Sequence, residues 1–102
     1  MKNNQRKMIV ASCVHELLEH GFLLTVDHGG DDWEISRSSD ANAVLSKLMV
    51  KIDERLIVMK DDNIFGWVHF LHDDNARCVI CDMTVSVAPY ICKTTALTKS
   101  LV

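Results

Sequence analysis

The run Ile64-Phe65-Gly66-Trp67-Val68-His69-Phe70-Leu71-His72 constrains the fold more than any other stretch of the chain. Successive side chains of a strand point to opposite faces, so Phe65, Trp67, His69 and Leu71 share one face and Ile64, Gly66, Val68 and Phe70 the other. Both faces are apolar, and a strand of that kind lies inside a sheet with cover on both sides. A glycine within a strand marks a close approach by another part of the chain, which assigns the Gly66 face to the helices. Val68 and Phe70 then belong to the main core, and Trp67 and Leu71 need a cover of their own.

The rest of the chain supplies the partners of this strand. From Gln5 to His20, Ile9, Cys13 and Leu17 recur with helical spacing beside Val10, Val14 and Leu18, with Glu16 and Glu19 opposite. Gly21 suits the left-handed residue that ends such a helix. Phe22 to Asp27 and Trp33 to Ser38 read as a hairpin around His28-Gly29-Gly30-Asp31-Asp32. Ser39 or Asp40 caps a second helix over Ala41 to Val50, with Val44, Leu45 and Leu48 as its stripe. Strands over Arg55 to Lys60, Ile64 to His72 and Arg77 to Val85 follow, joined by short Asp/Asn links that indicate an antiparallel meander.

The expectation is one α+β domain over residues 1–102, in the order α-β-β-α-β-β-β, with two helices on one face of an antiparallel sheet of about five strands. Residues 90–102 form a last helix or a loosely attached tail. Two helices cannot cover both sides of such a sheet. Either the C-terminal segment, with Tyr90, Ile91, Leu97 and Leu101, folds back across the second face, or another protein chain covers it.

Composition limits the partners. With 11 basic against 14 acidic residues, no basic field is available to bind nucleic acid. The longest apolar run, around Ile64 to Leu71, falls short of the roughly 18 residues that cross a bilayer, so no membrane role is expected. The basic N-terminus is not followed by a secretory core, which points to the cytoplasm and to reduced thiols at Cys13, Cys78, Cys81 and Cys92.

Candidate chemistry is sparse. Cys78 and Cys81 have the two-residue spacing of half a zinc site, with His69 and His72 on the neighbouring strand. Residues three apart on an extended strand face opposite ways, so core thiols are the preferred reading. Asp27, His28, Asp31 and Asp32 gather carboxylates around an imidazole, yet lack the ligand pattern of a calcium loop and read as a solvated hairpin turn. No phosphate loop, nucleophile elbow or metalloprotease helix occurs, so no catalytic residue and no cofactor is assigned.

The succession Gly21-Phe22, Asp32-Trp33-Glu34, Ser38-Ser39-Asp40, Phe65-Gly66-Trp67-Val68 and Ile80-Cys81-Asp82-Met83-Thr84 resembles the layout of small proteins encoded by phages and prophages. The resemblance carries over no catalytic residue or cofactor. It implies an accessory protein that binds a host or phage protein. The expected function is therefore a cytoplasmic, non-enzymatic interaction or regulatory module, a homodimer or a binder of a host protein, whose interface is Phe65, Trp67, His69 and Leu71. The alternative is a metal- or small-ligand-binding domain using Cys78, Cys81, His69 and His72.

Overall fold

The computed structural model describes residues 3–29, 33, 35–73 and 79–101. Helix α1, Asn3–Glu19, buries Ile9, Val10, Cys13, Val14 and Leu17, the stripe expected from its spacing. The buried side also takes in Arg6 and Glu16, because positions 6, 9, 13 and 16 follow the helical repeat. Glu16 therefore faces inward, not opposite the apolar stripe as the sequence had suggested. Gly21, at φ +85°, ends the helix: the Gly21 amide donates to the Leu18 carbonyl at 3.0 Å and the Phe22 amide to that of Leu17 at 3.4 Å.

Strands β1 (Leu23–Asp27) and β2 (Ile35–Ser38) pair antiparallel, and Asp40 caps α2 (Ala41–Ser46) by accepting from the Asn42 and Ala43 amides. This helix stops short of the expected Val50. Met49 there adopts φ +61°, and its amide and those of the next two residues are drawn to the Glu54 side chain instead of continuing the helix. Strands β3 (Asp53–Lys60) and β4 (Asn63–Leu71) meet through Asp61 and Asp62, both at positive φ, as the tight mirror-image hairpin turn requires. Strand β5 (Ile80–Met83) completes an antiparallel sheet of order β2-β1-β3-β4-β5.

A short 3-10 turn, Ala88–Ile91, leads into α3, Cys92–Leu101. The C-terminal residues are thus a helix, and it packs on α1, on the side of the sheet that already carries the helices. It does not fold back over the second face. The core lies between the helices and Leu24, Val26, Leu56, Val58, Val68 and Phe70 of the sheet. Among the described residues, no helix is long and apolar enough to cross a membrane.

The crowding at Gly66 comes from a different neighbour than expected. A Cβ there would lie 2.5 Å from Val87 Cγ2 and 2.7 Å from Ser86 Oγ, so the segment after β5 makes the close approach, not a helix. Thr84 Oγ1 accepts from the Trp67 amide and Ser86 Oγ donates to the Phe65 carbonyl, which fixes that segment against the strand.

A register slip separates the pairs Val58–Gly66 and Met59–Ile64, making Phe65 the extra residue of a bulge. Simple alternation, which put Phe65 beside Trp67, fails at that point. Ile64 joins the open face with Met59, whereas Phe65 packs with its ring centroid 4.9 Å from Phe22 and 5.6 Å from Tyr90.

Candidate functional site

At one end of the sheet, β3 begins with two carboxylates that alternation sends to opposite faces. Glu54 turns inward and is 1% exposed. Its Oε1 accepts from the Met49 amide at 2.6 Å and His72 Nε2 at 2.7 Å, and its Oε2 from the Val50 and Lys51 amides and His28 Nε2. His28 Nε2 lies 2.8 Å from Glu54 and 2.7 Å from the Lys47 carbonyl, two groups that only accept, so this nitrogen carries the hydrogen. Burial alone would raise the Glu54 pKa, but the His72 hydrogen bond and the three backbone amides outweigh it and hold the carboxyl below its usual range. The ionised carboxylate ties together the ends of β1 and β4 and the turn after α2. His72 Nδ1, by contrast, is buried without a hydrogen-bond partner among the described residues.

The sequence had suggested that His28 belongs to a solvated turn. The structure buries it, because an acceptor pair awaits it on elements 19 and 26 residues further along, Lys47 and Glu54. Residues 30–32 of that turn lie outside the described residues.

On the open face, the strand register aligns Asp27, Arg55, His69 and Asp82 in one row across β1, β3, β4 and β5. Asp53 adjoins this row and its Oδ1 accepts from His69 Nε2 at 3.0 Å. Arg55 extends the other way, its guanidinium 5.2 Å from the centre of the Trp67 ring. Asp27, Gly29, Asp53, Arg55 and His69 line a cleft of about 270 Å³, with His28 and Glu54 at its inner wall.

Of the four side chains expected at an interface, the structure leaves Trp67, His69 and Leu71 half-buried on the open face and moves Phe65 into the aromatic cluster with Phe22 and Tyr90. The row containing Arg55 and His69 separates Trp67 from Leu71, so the apolar part of the face is Trp67 with Ile57, Met59, Leu23 and Ile64; Ile57 and Met59 are buried, Trp67 and Leu23 half-buried and Ile64 exposed. No helix among the described residues lies over it.

The candidate metal ligands do not converge. His69 is engaged with Asp53 and His72 with Glu54, on opposite sides of the sheet, and Cys81 is exposed. Cys78 lies outside the described residues, among which no group of three or more His, Cys, Asp or Glu side chains could hold a metal ion.

The sequence reading missed the two buried carboxylates. Glu16 could have been found by counting, since it sits three residues beyond Cys13 on the same helical stripe. Glu54 gave a weaker signal: its neighbours Leu56 and Val58 share its parity and face the core, but the strand was expected to begin only at Arg55.

The chain matches no known protein-family model, no curated protein and no solved structure at a significant level.

Proposed function

We propose that the protein is a cytoplasmic, non-enzymatic interaction module that docks through the open face of its sheet, with a second copy of the chain as the partner. The observation that supports this reading is the one-sided placement of the helices: α3 joins α1 and α2, and no helix among the described residues covers the face of Trp67, where Ile57 and Met59 are already buried by neighbouring side chains and Trp67 stays half-buried. Two sheets pack face to face at about 10 Å, a distance that Trp67 side chains from two copies can fill. Burying the part of Trp67 that is still exposed is worth about 1–2 kcal/mol by area, before the cost of association. An accessory protein of a phage or prophage would act in this way.

Light scattering at micromolar concentration tests the proposal. A dimer mass that becomes monomeric in Trp67→Glu supports it. A monomer at all concentrations, or a dimer that persists in Trp67→Glu, overturns it, and the first of these results leaves a host protein as the occupant to be sought.

A further inference from the structure

On the helical side of the molecule, α1 and α2 do not close on each other completely. Between them runs a groove of about 260 Å³, lined by Lys7, Val10 and Ala11 of α1 and by Leu45, Leu48 and Met49 from α2 and the turn after it. Val10 and Leu48 are buried and continuous with the core, while Ala11, Leu45 and Met49 are half-buried. Two local features keep the groove open. Ala11, one helical turn from Lys7 on the same face, is too small to reach across to α2. Met49 adopts φ +61°, which a residue of its size rarely takes, and the buried Glu54 carboxylate holds it there by accepting its amide at 2.6 Å. The backbone of that wall is thus fixed from inside the protein, whereas the methionine side chain on it adapts readily to what lies against it. Lys7 is the one charged side chain of the lining, and it makes no ion pair among the described residues.

The geometry points to a binding site for a free medium-chain carboxylic acid, its chain against Ala11, Leu45, Leu48 and Met49 and its carboxylate on the Lys7 ammonium. Small-molecule sites are apolar concavities with a few polar groups that fix orientation, and this groove has five apolar lining residues and one cation. Lys7 is exposed, so its methylenes line the wall and its ammonium stays at the mouth, in reach of water and of a ligand head group. With no carboxylate among the described lining residues, an anion meets no repulsion there and gains a charge-assisted hydrogen bond. An uncharged chain would forgo that bond, and an amine would meet the lysine as a like charge. An apolar cavity of about 150 Å³ already accommodates benzene. The larger groove suits a short alkyl chain that leaves its polar end outside. The site lies on the helices and is independent of dimerisation through the sheet.

Octanoate is the probe. Titrated into the isotopically labelled protein below its micelle concentration, it should shift the amide resonances of residues 7–11 and 45–49 in a saturable way, with little change in β3 and β4. Calorimetry over hexanoate, octanoate and decanoate should show affinity rising by up to about fourfold per methylene until the groove is full. Octanol and octylamine should bind several-fold more weakly than octanoate. Lys7→Gln should remove the preference for octanoate over octanol, and Ala11→Leu, which fills the groove from an already half-buried position, should weaken all these ligands about tenfold while the circular dichroism spectrum stays unchanged. The proposal is overturned if octanoate gives no saturable shift at millimolar concentration, if the shifts centre on the sheet instead, if octanol binds as tightly, or if a folded Ala11→Leu protein binds octanoate as the parent does.

Discussion

Glu16 and Thr94 stand 78 residues apart, and Glu16 Oε1 accepts from both the amide and the hydroxyl of Thr94, at 2.8 and 2.9 Å. Its Oε2 accepts from the Lys93 amide at 2.9 Å. A helix starts with amides that have no partner of their own, and a carboxylate suits the positive end of its dipole. Glu16 supplies that partner from another helix, so the contact that caps α3 also fastens it to α1.

Glu16→Ala removes both functions. The expected loss is about 1–3 kcal/mol in urea denaturation, in line with the loss of a helix cap and of buried hydrogen bonds. Hydrogen exchange should quicken in α3 more than in β3 and β4. Uniform acceleration through the chain would mean that α3 opens only with the whole domain.

Glu54→Gln keeps the shape of the side chain but places an amide donor among donors. A cost of about 2–4 kcal/mol at neutral pH is expected, because the histidines and backbone amides lose a charged acceptor in a buried place. The pH dependence has a definite sign. The folded-state pKa of Glu54 is lowered from the ordinary 4.5, so its stabilising contribution is fully present above that value and is lost as pH falls through the folded-state pKa. The stability difference between wild type and variant should therefore narrow below pH 4.5. A constant difference down to strongly acid pH would contradict this.

At Gly66 the expected effect is steric. Gly66→Val puts atoms where Thr84, Ser86 and Val87 already lie, and should cost about 1–3 kcal/mol in thermal or urea unfolding despite the better strand propensity of valine. Unchanged stability would show that the 84–87 segment moves aside freely.

The cysteines should differ sharply in reactivity. Burial, followed by the charge of Glu16, pushes the Cys13 thiol well above its usual range, whereas Cys92 is exposed. Iodoacetamide applied to the native protein should label Cys92 and spare Cys13, as peptide mapping would read directly. Labelling of Cys13 at the rate of Cys92 would mean that α1 detaches from the sheet under native conditions.

Hydrophobic periodicity, together with turn and capping residues, determined the α+β class, the antiparallel arrangement, a cap at Ser39 or Asp40, the terminal role of Gly21 and the assignment of Val68 and Phe70 to the core. Each of these depends on residues near one another in the chain, where spacing and turn chemistry act directly. Tertiary structure decided what spacing could not reach. The bulge that sends Phe65 to Phe22 and Tyr90 arises from pairing with β3, and the early end of α2 from a carboxylate that follows it. The burial of His28, Glu16 and Glu54 has the same origin: a polar side chain goes inside only when distant elements bring donors and acceptors to meet it, and a linear sequence does not display that coincidence.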